Sequence, residues 1–432
     1  MRESKIKFVD LFAGIGGIRK GFELACDDLG LKTECVFTSE IKESAVKILQ
    51  QNHPKEKIFG DITKIDEKTM PDFDFLLAGF PCQSFSSAGK RLGFEDTRGT
   101  LFFEVERILK EKQPFGFILE NVEGLVTHDK ENKKDKIGRT LSTILNCLKE
   151  LNYNVEWKVL NASDFGIPQE RKRIYIVGVK NNNISLDNFE KSKNTLDSIL
   201  ETGLSTINTK FINLLLSHYK IQDLYGKSIK DKRGGKNNIH SWDIEYKGSI
   251  SDDEKKLLNN ILKERRKKKW AEEIGIEWMD GMPLTYKQIK TFYQNDNLKK
   301  MLDNLEKKGY LKKEYPKKKV GNKRVLDNTL PKGYNIVSGK MSFEISKILD
   351  PKGSAPTLVA MDMQHLYVVD GFGLRPLTLR EGLRLFGYPD EYKFDITKEE
   401  GYDLLGNTVV VPVIKQVAIR LLVVYKEENL WD

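Results

Sequence analysis

A cysteine that could act as a nucleophile follows a mostly apolar segment and a proline. Residues 73–80 run into Pro81-Cys82, with Ser84 and Ser86 shortly after. Pro81 fixes its own φ and restricts the preceding residue, so the backbone ahead of the thiol is rigid. A free thiol with a pKa of about 8.5 is only ~3% thiolate at neutral pH, so Cys82 would need a nearby positive charge or base. The alternative is an inert, buried cysteine.

Charged groups that could act with this thiol flank two other strand-like segments. Glu120 closes residues 115–120, and Arg171 and Arg173 lead into residues 173–179. A buried carboxyl has a raised pKa and a nearby arginine lowers it; for Glu120 beside Arg171 we expect burial to dominate. The plainer interpretations are a capping or salt-bridged glutamate and a solvated start of a strand.

A glycine-rich turn follows the first apolar segment, in Asp10-Leu11-Phe12-Ala13-Gly14-Ile15-Gly16-Gly17. The turn is not the dinucleotide fingerprint, because Arg19 stands where G-x-G-x-x-G needs its third glycine. Asp10, Glu40 and Asp61 follow strand-like segments or lie in loops, and their charge would repel a pyrophosphate. A nucleoside with a cationic centre fits better, which points to S-adenosylmethionine.

Alternating strands and helices must position these groups. Apolar strand-like segments alternate with helix-like ones through residues 1–180, which predicts a mostly parallel sheet covered on both faces. We predict strands at 6–12, 34–40, 73–80, 115–120 and 173–179. Helices are predicted at 16–29, from the end of the second strand to about residue 52, and at 100–112, 137–151 and 412–424.

The composition is that of a soluble globular protein. Of its 432 residues 39% are hydrophobic, which argues against whole-chain disorder and fibrous architectures. Four scattered cysteines and five scattered histidines predict neither a disulfide scaffold nor a zinc site. We see no export signal and no apolar run of the ~20 residues that span a bilayer, and so expect a cytoplasmic protein without a membrane partner or metal.

The positive charge is concentrated in the middle of the chain. The net charge is +9, and residues 181–340 alone carry +12. Lysines and arginines there alternate with tryptophans and tyrosines, which favours a polyanionic partner because neutralised phosphates release counterions. The alternative is a solvated lysine-rich face, because residues 257–262 read as an amphipathic helix with its charges outward.

Taken together, these residues resemble the cytosine-C5 DNA methyltransferase family. The similarity covers residues 8–180 and about 371–413, roughly half of the chain. It is carried, in the family's order, by Asp10–Gly17, Gly79–Ser86, Glu120-Asn121-Val122, Gln169-x-Arg171-x-Arg173, Arg380-Glu381 with Gly387-Tyr388-Pro389, and Gly406-Asn407-Thr408-Val409. Any one of these segments is a weak signal, and six in one order make coincidence implausible.

The resemblance implies a covalent mechanism on a flipped-out cytosine. Cys82 would attack C6, and Glu120 would donate a proton to N3. Arg171 would hold the O2 side and Arg173 would support that site. The family similarity further implies S-adenosylmethionine as cofactor, held by Phe12, Gly14, Gly16, Glu40, Ile41, Asp61, Ile62, Pro81 and Asn407. DNA contacts are expected from Ser84, Ser86, Lys90, Arg91, Arg98 and Gln169.

The expected fold class is α/β, a Rossmann-like S-adenosylmethionine-dependent methyltransferase domain with a smaller, mixed target recognition domain. We place the catalytic domain at 1–182, the recognition domain with a basic helical insert at 183–375, a hinge at 376–404 and a completing segment at 405–432. The implied protein is a monomeric type II modification enzyme acting on double-stranded DNA, with a cognate restriction endonuclease as a partner in function only. A tRNA cytosine-C5 methyltransferase and an inactive DNA-binding protein are the alternatives.

Overall fold

The computed structural model describes residues 5–81, 101–132, 134–321, 323–338, 343–360 and 362–429. The described chain divides into two compact units. The first, the catalytic unit, holds the residues up to Leu200, Lys352–Met363 and those from Thr378 onward; the second, the basic unit, holds Glu201–Pro351 and Gln364–Leu377.

The described residues of the catalytic unit form seven strands and seven α-helices. The strands are β1 (Ile6–Leu11), β2 (Thr33–Ser39), β3 (Ile58–Phe59), β4 (Phe75–Ala78), β5 (Gly116–Val122), β6 (Asn154–Asn161) and β7 (Lys172–Val179). The helices are α1 (Gly17–Asp28), α2 (Glu43–Asn52), α3 (Leu101–Lys112), α4 (Arg139–Glu150), and, after the six helices of the basic unit, α11 (Leu379–Arg384), α12 (Lys398–Asn407) and α13 (Val411–Asn429).

The strands make one sheet in the order β3-β2-β1-β4-β5-β7-β6. Strands β1 to β5 pair in parallel, and β7 is antiparallel to both of its neighbours. Strands β1, β4 and β5 are buried over nearly their full length, as in a sheet covered on both faces. The predicted α/β class and the mostly parallel sheet are confirmed. Strand β6 was not predicted, because most of its side chains are only half-buried and its sequence is mixed.

The register of the central strands aligns the last residues of β2, β1 and β4 with Leu119 of β5 in one row. Leu11 pairs with Ser39 on one side and with Ala78 on the other, and Ala78 pairs with Leu119. The residue that follows each of these therefore emerges at the same edge of the sheet. We call this edge the carboxyl edge; ligands of open α/β sheets bind there.

The basic unit is built from short elements around two apolar clusters, one of which includes Trp242 and Leu257 and the other Phe211 and Ile348. Its helices are α5 (Lys210–His218), α6 (Ile221–Leu224), α7 (Asp252–Glu264), α8 (Lys269–Glu273), α9 (Tyr286–Phe292) and α10 (Leu298–Lys307). Its strands are β8 (Ser228–Ile229), β9 (Asn238–Ile239), β10 (Leu311–Glu314), β11 (Lys317–Val320), β12 (Lys323–Leu326), β13 (Gly333–Ile336), β14 (Lys347–Ile348), β15 (Leu366–Asp370) and β16 (Gly373–Pro376).

The predicted amphipathic helix in the basic unit is confirmed as α7. Leu257, Leu258 and Ile261 are buried, and a capping box between Ser251 and Glu254 begins the helix. Part of the positive charge of residues 181–340 therefore lies on the solvated face of a helix. For this segment, that was the alternative to a surface for a polyanionic partner.

The unit boundaries differ from those expected from sequence. Polar residues beyond 182 still belong to the catalytic unit, because Ser192 accepts a hydrogen bond from the backbone of Gly166, and the amide of Leu196 donates to the carbonyl of Gly353. Ala355 exchanges backbone hydrogen bonds with Pro168 and Glu170. Residues 378–404, expected as a hinge, also lie in the catalytic unit. These polar segments are held by backbone hydrogen bonds, so their sequences have no hydrophobic periodicity from which the pairing could be predicted.

The helical stretch Lys398–Glu428 is long and apolar enough to cross a membrane by length and composition alone, although 67% of its most apolar 18 residues are buried inside the protein. Its α13 portion packs along α1, beside the sheet. Burial against the protein's own core accounts for its apolar character.

An ionisable side chain is enclosed in the centre of the sheet. Asp10 of β1 is 1% exposed, and neither carboxyl oxygen has a hydrogen-bond partner among the described residues. Burial raises the pKa of Asp10 to about 8, and the nearby Arg19 only partly opposes this shift. Arg19 is itself engaged with Glu23 and Glu56. Asp10 is therefore mostly protonated at neutral pH.

We expect the stability of the Asp10→Asn variant relative to wild type to rise by about 3–4 kcal/mol between pH 5 and pH 8. The folded-state pKa of Asp10 lies above its unfolded value. The wild type therefore loses stability as the pH rises toward 8, whereas the uncharged amide does not titrate. Urea unfolding of both proteins at the two pH values measures this difference. Parallel pH profiles would contradict the assignment.

Candidate active site

The segment leading to Cys82 is tied to the end of β5. Asn121 is buried, and its side-chain amide donates a 3.1 Å hydrogen bond to the carbonyl of Phe80. A Cβ added at Gly79 would lie 3.9 Å from a carboxylate oxygen of Glu120. The parallel pairing of β4 and β5 thus puts Gly79 beside Glu120. Gly79 is three residues before Cys82 in the sequence.

Glu120 forms a buried ion pair with Arg173. The guanidinium Nε of Arg173 lies 3.2 Å from Oε1 of Glu120, and both side chains are largely enclosed. Val122 and Arg173 face each other across the β5–β7 pairing, which explains how Arg173 reaches this carboxylate. Burial raises the pKa of Glu120, and Arg173 and Arg171 lower it by less. Burial therefore dominates, as expected from the sequence.

Arg171 has different partners. Its guanidinium donates hydrogen bonds of 2.9 Å to the carbonyl of Leu358 and 2.8 Å to that of Thr408, and it lies over the ring of Phe386 at 5.0 Å. Arg171 is 3% exposed, and burial lowers its pKa to about 9, so it remains charged at neutral pH. Its hydrogen bonds hold segments 358 and 408 of the catalytic unit together.

An open cavity of about 310 Å³ adjoins the ion pair, and Arg173 is part of its wall. The other lining residues are Val122, Glu123, Gly124, Glu170, Lys172 and Thr357. The cavity is large enough for a single planar ring, and its charged walls suit a polar one.

The expected DNA contact of Gln169 is corrected by the structure. Gln169 is 0% exposed, and its amide donates to the carbonyl of Leu385 while its oxygen accepts from the amide of Leu358. A side chain with no exposed surface cannot touch DNA. Gln169 instead stabilises the same segment as Arg171.

The glycine turn and Glu40 form one hydrogen-bonded unit. One Glu40 oxygen accepts from the amide of Gly14 at 2.7 Å, and the other accepts from the amides of Ile41 and Lys42. Gly14 has a φ of 55°, a left-handed conformation that suits glycine, and a Cβ added there would meet no atom within 4 Å. Phe12 adopts a φ of 54°, unusual for a non-glycine residue, at the end of β1. The turn thus borders open space beside Glu40.

The other predicted cofactor residues lie on neighbouring loops of the catalytic unit. Asp61 follows β3 and accepts hydrogen bonds from Thr63, which lower the pKa of its carboxyl. Ile62 is buried, whereas Ile41 is 74% exposed, an unusual exposure for so large an apolar side chain. Asn407 ends α12 and is exposed.

Tyr388 and Thr408, which the sequence did not single out individually, pack against the glycine turn. The Tyr388 hydroxyl is 2.8 Å from that of Thr408. A Cβ at Gly17 would lie 2.6 Å from the Tyr388 hydroxyl, so only glycine permits this approach. Both lie in segments that carried the family resemblance, but nothing in their spacing indicates contact with a turn almost 400 residues earlier.

Several predicted residues lie outside the part of the chain that the structure describes. These are Cys82, Ser84, Ser86, Lys90, Arg91 and Arg98. On this side of the gap the structure describes the chain up to Pro81, which is half-buried.

Close relatives match the chain over almost its whole length. The type II methyltransferase M.NlaIV of Neisseria lactamica is 65% identical over 97% of this chain and 99% of its own. M.NgoBV of Neisseria gonorrhoeae is 64% identical over 97% and 99%, and M.BanI of Aneurinibacillus aneurinilyticus is 44% identical over 96% and 95%.

Solved structures share the fold. The Dnmt2 methyltransferase of S. pombe has a TM-score of 0.53 at 17% identity over 99% of this chain and 100% of its own. The Entamoeba histolytica methyltransferase EhMeth has a TM-score of 0.51 at 16% identity over 99% and 100%. The model of the C-5 cytosine-specific DNA methylase family matches residues 6–422. With that match and these relatives, the chain belongs to the C-5 cytosine-specific DNA methylase family.

Proposed function

We propose that the protein is the modification enzyme of a type II restriction–modification system. It transfers a methyl group from S-adenosylmethionine to C5 of a cytosine in a specific short site of duplex DNA, in the bacterial cytoplasm and as a monomer. A cognate endonuclease would cut the same site without forming a complex with it. The observation that carries the proposal is the Glu120–Arg173 ion pair beside the segment that leads to Cys82.

The residues of the glycine turn fit S-adenosylmethionine. Gly14 borders open space, and the exposed Ile41 offers apolar surface to an adenine ring. Glu40 would accept hydrogen bonds from the ribose hydroxyls, and Asp61 from the adenine amino group. The ring of Phe12 would stack on the adenine. When bound, the cofactor supplies an electrophilic methyl group.

The remaining cofactor contacts belong to Gly16, Ile62, Pro81 and Asn407. Gly16 has a φ of 72° and lets the turn begin α1 directly. Ile62 and Pro81 would pack against the nucleoside, and Asn407 would contact it from the end of α12. The segment of Asn407 is fixed to the glycine turn by Tyr388 and Thr408.

The proposed chemistry begins with covalent attack on the pyrimidine. The Cys82 thiolate bonds to C6, and the electrons of the 5,6 double bond make C5 nucleophilic. A protonated Glu120 donates to N3, where negative charge would otherwise develop. The raised pKa of Glu120 supports this role, since an ionised carboxylate could not donate. After methylation, loss of the C5 proton and expulsion of Cys82 restore the aromatic ring.

We assign the two arginines different tasks, in the reverse order to that implied by sequence. Arg173 contacts Glu120 and lines the cavity, so we assign it to hold O2 of the cytosine and to supply the positive charge that favours the thiolate. Arg171 acts through the carbonyls of Leu358 and Thr408 and is a positioning residue.

The target base must leave the duplex before this chemistry can occur. Flipping a cytosine costs a few kcal/mol, which contacts with the vacated duplex must offset. Ser84, Ser86, Lys90, Arg91 and Arg98 are proposed to make such contacts.

Methyl transfer tests the function directly. We expect the purified protein to transfer labelled methyl from S-adenosylmethionine to bacterial genomic DNA and to prefer duplex DNA over total tRNA in competition. A protein that labels neither substrate, or that prefers tRNA, would contradict the proposal.

The nucleophile is tested with a duplex containing 5-fluorocytosine, whose fluorine blocks the final elimination and traps the adduct. We expect Cys82→Ala to form no adduct on denaturing gels and to lose methyl transfer. Cys147→Ala provides the control, because Cys147 is a half-buried cysteine of α4 away from the carboxyl edge. An adduct formed by the Cys82 variant would refute its role.

The two arginines are distinguished by lysine substitution, which retains the charge and removes the forked geometry. We expect Arg173→Lys to lower kcat by about 10- to 100-fold with little change in Tm. We expect Arg171→Lys to lower the free energy of unfolding by about 1–3 kcal/mol, because two buried carbonyls lose their donors. Thermal denaturation and steady-state kinetics of both variants provide the measurement. The opposite pattern would return the direct role to Arg171.

A further inference from the structure

We propose that the basic ribbon, formed by β11 and β12, enters the major groove of the duplex and reads base edges there. The inference rests on the proposed function and assigns an element to DNA recognition. Its two strands, Lys317–Val320 and Lys323–Leu326, contain five lysines or arginines and no acidic residue. Its positive charge is complementary to a phosphate backbone.

The ribbon contributes little to the core of the basic unit. Within the described part of the chain, strands β11 and β12 pair only with each other, and all eight of their residues are exposed. Val320 and Val325 are 56% and 41% exposed, respectively. A two-stranded ribbon by itself is marginally stable, and exposed branched side chains add no folding energy. This combination is explained if the apolar groups meet a partner.

The two faces of the ribbon differ. Lys319 and Arg324 are opposite each other on one face, where they contact Glu277 and the carbonyl of Trp278 in the same unit. The register places Val320 and Val325 on the other face, opposite Lys323 and Lys318 respectively. That second face alternates branched alkyl groups with cations.

A duplex major groove matches this second face. The groove is wide enough for a two-stranded β-ribbon, and it presents thymine methyl groups that apolar side chains recognise. Lysines at the margins would reach the flanking phosphates. The major groove of double-stranded RNA is deep and too narrow to be read this way.

The phosphate contacts are tested with Lys317→Ala/Lys323→Ala, two exposed positions. Binding to a random-sequence 30-bp duplex is followed by anisotropy over a range of salt concentrations. We expect affinity at 100 mM salt to fall about tenfold, and the slope of log affinity against log salt to decrease by about two. The control is Lys110→Ala/Lys149→Ala, which removes exposed lysines from the last turns of α3 and α4.

Base reading is tested with neighbours on opposite faces of the ribbon. We expect Val325→Ser to change the set of methylated sequences in bisulfite sequencing of genomic DNA, and Leu326→Ser to leave it unchanged. Equal salt slopes in the lysine variant and its control would overturn the proposal. So would an unchanged site spectrum with Val325→Ser, or an equal loss of affinity for double-stranded RNA.

The outcome is distinguishable from failure of the proposed function. A wild-type protein that transfers no methyl to DNA refutes the enzyme itself. A wild type that methylates DNA while the ribbon variants behave like their controls refutes the ribbon alone. Unchanged Tm and S-adenosylhomocysteine affinity of the variants would show that the exposed substitutions leave the fold and cofactor site intact.

Discussion

The site depends on the hydrogen-bond register of the parallel strands. Ser39, Leu11, Ala78 and Leu119 pair in one row, so Glu40, Phe12, Gly79 and Glu120 all emerge at the same edge. A shift of one residue in β4 would turn its side chains to the opposite faces of the sheet and misplace the segment that leads to the cysteine. Burial of these strands on both faces enforces the register, because each shift would cost apolar contacts in the core.

Within this sheet, acidic residues that lie at or near strand ends have different electrostatic surroundings and therefore different properties. Glu40 is bonded by three backbone amides and ties two turns together, whereas Glu120 faces one guanidinium in an enclosed space. Asp10 lacks any hydrogen-bond partner among the described residues, and its pKa rises to about 8. Proton donation to a substrate needs a carboxyl whose burial outweighs nearby positive charge, and Glu120 meets that condition at the edge where a ligand can reach it.

The positive charge of the chain is divided between two kinds of structure. On α7 the exposed Lys256 and Lys263 lie on the solvated face of a helix whose apolar face is buried. On the basic ribbon the cations accompany exposed valines and a leucine, so the charge is displayed together with apolar surface. Lysine-rich segments that look alike in composition can therefore have different tasks. The distinction depends on whether neighbouring apolar residues have a core to enter.

The sequence by itself determined the α/β class, most strand and helix positions, the family and the chemical types at the site, because strand apolarity and turn composition are local properties. Tertiary structure decided which arginine contacts Glu120, because the sequence around Arg171 and Arg173 does not indicate their partners. In the folded protein the two side chains have different neighbours. It also decided that Gln169 is buried and that residues beyond 182 complete the catalytic unit. These outcomes depend on contacts between segments up to about 240 residues apart, which no local pattern encodes.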